Sequence, residues 1–231
     1  MTNNDLAVRP TTGLDPANRP LLLVPLGATE QHGPHLPLDT DTRIATAWAQ
    51  ALAGRLGSPT LVAPALPYGS SGEHQSFPGT LSIGQTVLHS LILELVRSAA
   101  EAFRRVVLVC GHGGNAVAVA GAVRQATDEG HALSALFPHW PDDSHFVVDA
   151  HAGRTETSLM LYLAPETVRL DAAAPGNTNT LSHLLPALRS GGVAAVSANG
   201  VLGDPTGANA REGYLLFDDL VERSVARLGG L

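Results

Sequence analysis

The sequence predicts an α/β fold with a mostly parallel central sheet, and two observations predict it. Short apolar runs flanked by turn-forming residues recur along the first two thirds of the chain, and stretches of helical periodicity separate them. A strand divided from the next by a helix of that length pairs in parallel through a right-handed crossover. In such a sheet, ligands gather at the carboxyl ends of the strands.

The elements follow in order. Residues 1–18, rich in Asn, Asp, Pro and Thr, read as a flexible N-terminal segment without the apolar run of a secretory signal. Residues 21–26 (LLLVPL) form an apolar run of the kind buried on both faces of a sheet. A helix is expected over 40–56, a weaker strand over 60–63, and a helix over 84–103, where Val87, Leu88, Leu91, Leu95 and Ala99 recur at helical spacing. The second clear strand is 105–110 (RVVLVC), followed by a helix over 115–129 and a weaker strand over 132–136. After residue 165 the pattern fades into Gly-, Asn- and Ala-rich sequence before a final helix near 208–228. All 231 residues fit one domain, with its chemistry expected just after residues 26, 63, 110 and 136.

Composition narrows the function classes. Hydrophobic residues make up 44% and charged residues 15%, which suits a globular core, while aromatics at 4% leave Val, Leu and Ala to fill it. A net charge of −7 with no basic stripe argues against nucleic-acid binding. No apolar run reaches membrane-spanning length. The lone Cys110 has no intrachain partner, which excludes a disulfide framework and a zinc-thiolate site and suits a reducing cytoplasm.

Three clusters carry chemistry. Directly after the first strand, residues 27–41 (GATEQHGPHLPLDTD) crowd carboxylates and imidazoles together. Glu30 and His32 share one side of an extended chain, and Asp41 opens the next helix where it can turn back toward them. Carboxylate and imidazole without thiolate suit a divalent ion of the Zn, Mn, Fe or Co group. The bland alternative makes Glu30 and Asp41 helix caps and leaves His32 and His35 as ordinary loop residues. The third strand ends in Gly111-His112-Gly113-Gly114-Asn115. Its glycine spacing loosely fits a dinucleotide fingerprint, but no acidic residue follows the next strand to hold a ribose. His112 reads better as a ligand on the same rim. In the third cluster, residues 149–158 (DAHAGRTETS), His151 stands before a helix and Glu156 falls in its first turn, where it could also be a plain helix-start residue.

Taken together, Gly27 to Asp41, Phe77-Pro78-Gly79-Thr80, Gly111 to Asn115 and His151 to Ser158 resemble, in order, the creatininase or creatinine amidohydrolase family over roughly residues 21–164. The resemblance implies a three-layer α/β/α sandwich, two divalent metal ions per subunit (Zn, Fe or Mn) and a homo-oligomer. It matches Glu30, His32, Asp41 and His112 to metal-ligand positions, with Asp41 as the bridge and Glu156 as the fifth ligand. Creatinine-hydrolysing members carry glutamate where this chain has Gly114, and Glu156 is the expected substitute. Their aromatic pocket is also poorly matched, Trp140 being the only tryptophan nearby, so creatinine is not the expected substrate. Within the family the chain looks most like peptidases that free a modified Val-Tyr-derived dipeptide from a precursor peptide. Formamide-releasing hydrolases of flavin and deazaflavin biosynthesis are the nearest rivals, and a noncatalytic nucleotide- or metal-binding module is the alternative from another class.

Two ions sharing one water would lower its pKa and polarise an amide carbonyl. His151 is the expected catalytic proton donor to the leaving nitrogen, with Asp149 as its orienting partner and Glu156 as the other catalytic residue. Backbone groups of Gly69 to Gly72, Gly111 to Asn115 and Asn199 to Gly207 are candidates for holding a peptide.

Overall fold

The computed structural model describes residues 4–15, 17–56, 59–140 and 146–229. Strands β1 (Leu21–Leu26), β2 (Thr60–Val62), β3 (Arg105–Cys110) and β4 (Leu133–Leu136) form one parallel sheet in the order β2-β1-β3-β4. The helices are α1 (Thr40–Arg55), α2 (Gly84–Ala99), α3 (Ala116–Asp128), α4 (Arg154–Leu163), α5 (Leu181–Gly191) and α6 (Ala210–Gly229).

The period of two along a strand sorts the core into two layers. Leu21, Leu23, Val107 and Val109 face a cluster built with Trp48 of α1, Met160 of α4 and Leu216 of α6. Leu22, Val24, Leu26, Val106, Leu108 and Cys110 face the other side, against Leu88 and Ile92 of α2 and Ala122 of α3. The result is the expected α/β/α sandwich. Each fully buried leucine side chain contributes about 2 kcal/mol from water exclusion. Trp48 is fully buried and its Nε1–H donates to Ser224 Oγ at 3.2 Å, tying α1 to α6.

Pro25 sits in a central strand without breaking it. Its carbonyl accepts from Leu66 on the β2 side, so its nitrogen faces the same way, past the last β1–β2 pair, Leu23 with Val62. No ladder donor is lost there. The N-terminal segment lies along the edge of the sheet: Asn4 accepts from the Val62 amide, and Leu6 and Leu14 pack on the second core.

Two elements differ from the sequence expectation. The second helix stops at Ala99 rather than 103, because the chain folds back with the Phe103 amide on Ala99 O and the Phe103 ring buried beneath. Helix α5 lies in the region where periodicity fades. Pro186 interrupts its hydrogen bonding, and only Leu184 of its residues is fully buried. Its other leucines face a cavity, so no single buried stripe marks it in the sequence. No helix among the described residues is long and apolar enough to cross a membrane.

Candidate metal centre

The parallel sheet delivers three loops to one rim. Glu30 leaves β1, its amide bonded to Leu38 O at 2.9 Å, which closes the loop and brings Asp41 in the first turn of α1 back beside it. The exit of β3 passes so close to α1 that a Cβ on Gly111 would collide with the Asp41 carbonyl, so only glycine permits that approach. Asn115 then clasps the three exits together, its Nδ2 donating to Gly27 O at 3.0 Å and its Oδ1 accepting from the Ser70 amide at 2.8 Å.

Onto this rim the chain brings every site residue expected from sequence. His32 Nε2 lies 3.1 Å from Asp41 Oδ1 and 3.9 Å from Glu156 Oε2. His112 Nδ1 lies 3.2 Å from Glu30 Oε1 and 3.4 Å from Asp41 Oδ2. His151 Nδ1 lies 3.8 Å from Glu30 Oε1, and its ring packs on those of His32 and His74 at 4.4 and 4.5 Å. Glu30, His32 and Asp41 bring ligand atoms within 4.8 Å of one another, as do His32, His151 and Glu156. His35 points away, bonded to Thr157 Oγ1 at 2.9 Å.

His74 was not singled out in the sequence, yet it stands 3.3 Å from Glu30 Oε1. Its signal was position: it follows β2, whose carboxyl end opens on the same rim, and shortly precedes the matched Phe77-Pro78-Gly79-Thr80 segment. It too forms a ligand-like trio with Glu30 and His151, but the surrounding hydrogen bonds give it a different part. The Gln31 amide group donates to His74 Nδ1 at 2.8 Å and to Gly200 O at 3.1 Å. Neutral His74 therefore keeps its proton on Nε2, the nitrogen nearer Glu30, without an alignment that bonds it. His151 is set the opposite way: both protons of the Gln31 side-chain amide are committed to His74 and Gly200, so His151 Nε2, 3.0 Å from that nitrogen, donates to the Gln31 carbonyl at 2.9 Å. Its bare Nδ1 then looks into the carboxylates.

Asp149 is not the orienting partner of His151. Its carboxylate accepts the free amides of Arg154 and Thr155 at the start of α4. The turn between His151 and α4 is held by Ala152 in the left-handed region at φ 51°, with its amide donating to Glu156 Oε2 at 2.6 Å. Such backbone in a non-glycine residue costs on the order of 1 kcal/mol and persists because the surroundings impose it.

The electrostatics call for positive charge. Both Glu30 carboxylate oxygens and Asp41 Oδ2 are buried with no aligned hydrogen-bond donor. Burial opposes ionisation of Glu30, yet the imidazoles of His112, His74 and His32 outweigh it and hold the acid well below its usual range. Burial likewise opposes charge on His32 and His112, but Asp41 drives His32 and Glu30 drives His112 up to about 10. Burial, with Asp41 nearby, pushes Glu156 up to about 7 against the pull of His32. Burial, aided by His32 and His74, drives His151 well below its ordinary value. Unsatisfied buried carboxylates among imidazoles are a donor set that fits divalent ions of the zinc or manganese kind.

The cluster opens into a cavity of about 650 Å³. Asp41, His112, His151 and Glu156 line its floor, and Leu181, Leu185 and Leu188 of α5 form an apolar wall beside Arg189. The Gly111 to Gly114 loop and Gly72 reach it, whereas the 199–207 loop contributes only Leu202. Among the described residues no Phe, Tyr or Trp ring lines it; Trp140 is buried in the α1 side of the core.

A family model described as creatinine amidohydrolase matches residues 12–228. A mycofactocin precursor peptide peptidase of Mycobacterium ulcerans (strain Agy99) is 53% identical over 220 residues, covering 92% of this chain and 86% of the relative. The protein of that name from Mycolicibacterium smegmatis (strain ATCC 700084 / mc(2)155) is 49% identical over 213 residues, covering 90% and 84%. A solved manganese creatininase superposes with a TM-score of 0.81 at 26% identity, covering 98% of each chain.

Proposed function

This chain belongs to the creatinine amidohydrolase family, and from that membership we propose that it releases a modified Val-Tyr-derived dipeptide from the C-terminal end of a precursor peptide in mycofactocin biosynthesis. It is a hydrolase acting on C–N bonds. The observation that carries the proposal is the set of donorless carboxylate oxygens on Glu30 and Asp41, with Asp41 itself on the floor of a cavity walled by leucines. That wall suits the side chains of a peptide end better than a small flat ring. The setting remains the cytoplasmic homo-oligomer expected from the sequence.

In this reading Glu30, His32, Asp41, His112 and Glu156 would hold two divalent ions, zinc, iron or manganese. When bound, such ions polarise the amide carbonyl and make water nucleophilic at neutral pH. The chain itself moves the proton. With Nε2–H fixed on the Gln31 carbonyl, His151 Nδ1 accepts a proton from the attacking water and returns it to the leaving nitrogen. The sequence leads one to expect His151 as the proton donor to the leaving nitrogen. Its burial keeps it neutral instead, so the proton is collected during the reaction rather than carried into it.

Metal uptake is expected to expel protons. In the metal-free protein His32 and His112 are charged up to about pH 10, and a ligand nitrogen must be bare, so binding at pH 7 should release about two protons per chain and tighten as pH rises. Calorimetry in buffers of different ionisation heat measures this directly. Binding with no proton release would contradict the assignment of both histidines.

The substrate is tested by incubating the metal-loaded protein separately with the modified precursor peptide, creatinine and a formamidopyrimidine, each followed by mass spectrometry. Release of the dipeptide product alone is expected. Turnover of either small molecule with the peptide intact would refute the peptidase reading in favour of an amidohydrolase of small heterocycles.

A further inference from the structure

The chain departs from creatinine-hydrolysing relatives at Gly114, and the structure shows what occupies that volume. A Cβ on Gly114 would collide with His112 Nε2 and Glu73 Oε1 and press on Ser70 O, so no side chain fits there. The carboxylate present is that of Glu73, from the turn Gly72–His74 after β2, rather than that of Glu156. Glu73 Oε1 stands 3.6 Å from His112 Nε2. This is the edge of the ring opposite Nδ1, which faces Glu30 and Asp41. The same Nε2 lies 3.1 Å from Ser70 O and 3.5 Å from Ser71 Oγ. A carbonyl can only accept, so when Nδ1 is given to a metal the remaining proton sits on Nε2, between Ser70 O and the Glu73 carboxylate. Among the described residues Glu73 joins none of the ligand-like trios.

We infer that Glu73 is a positioning residue for His112: Ser70 O takes the Nε2 proton, and the Glu73 carboxylate 3.6 Å from Nε2 steadies that proton by its charge and raises the basicity of Nδ1, supplied from the β2 loop in place of a side chain at 114. Carboxylate–imidazole–metal relays of this kind set ligand strength, and losing the outer member lowers metal affinity by about 10–100-fold. The inference rests on His112 being a ligand.

The test uses the full-length protein with Glu73→Gln, which keeps the shape and removes the charge, and with Glu73→Asp, which keeps the charge. Cobalt(II) is the probe, its affinity measured against a competing chelator and its coordination read from the visible absorption bands. Glu73→Gln is expected to weaken one of the two ions by about 10–100-fold, shift the cobalt bands and leave the melting temperature of the metal-free protein unchanged, with Glu73→Asp recovering part of the loss. Unchanged affinity and bands, with only KM for the peptide altered, would overturn the inference and make Glu73 a pocket wall. Equal weakening of both ions with a lower metal-free melting temperature would also overturn it, as a structural role. In parallel, His112→Ala that keeps full cobalt content would overturn the ligand reading of His112 and the Glu73 inference with it.

Discussion

Asp41→Ala is expected to remove most of the bound metal and to abolish measurable turnover. Asp41 is buried, and its two oxygens face different histidines, Oδ1 toward His32 and Oδ2 toward His112. Among the described residues no other side chain is so placed between them, and the family resemblance implies a bridging part for Asp41. Removing it also leaves buried charge uncompensated in the metal-free state, a penalty on the order of 3–5 kcal/mol. Loss of metal-derived stabilisation of the transition state is worth several kcal/mol, so activity should fall by at least about 10²–10³-fold. Asp41→Asn, close in shape, separates charge from folding. Metal analysis beside a peptide-hydrolysis assay measures both effects. Full activity in chelator-stripped protein, or metal content untouched by either substitution, would sink the two-metal reading.

For His151→Ala the expected result is the reverse pattern: metal retained, turnover lowered by about 10²–10⁴-fold, the range for losing a positioned proton-transfer group. Its Nδ1 stands 3.8 Å from Glu30, farther than His112 Nδ1 at 3.2 Å, and its ring is oriented by the Gln31 carbonyl. Glu156 lies close by as well, so the same position could complete a ligand set with His32. Metal analysis distinguishes the two. If the variant loses metal in proportion to activity, His151 is a ligand and proton transfer belongs elsewhere.

The sequence made the sheet legible because strands buried on both faces must be apolar along their buried length, as β1 is throughout and β3 is after Arg105. It made the rim legible because the ends of parallel strands fall together, so Glu30, His112 and their neighbours could be grouped across distant positions. Local order misled for Asp149. Two residues from His151 in an extended chain it would lie on the same side, but the free amides at the start of α4 compete for its carboxylate and win. Glu73 and His74 were missed because their one signal, a place after the short strand β2, comes without a clustered motif of ligand types, and the role of Glu73 depends on a volume at Gly114 that only the fold defines. Helix α5 was hidden because a helix whose leucines are divided between a cavity and a small core has no stripe to detect.

That division has an evolutionary consequence. Leu184 packs with Val193 and Leu202 in a small cluster of its own, separate from the two cores that sandwich the sheet. The wall facing the cavity is therefore mechanically divisible from the scaffold that aligns the chemistry. Substitutions at Leu181, Leu185 or Arg189 alter the shape and charge of the cavity while leaving the packing beneath Glu30, Asp41 and His112 in place. A lineage can thus exchange one substrate for another through this single helix, inheriting its reaction unchanged.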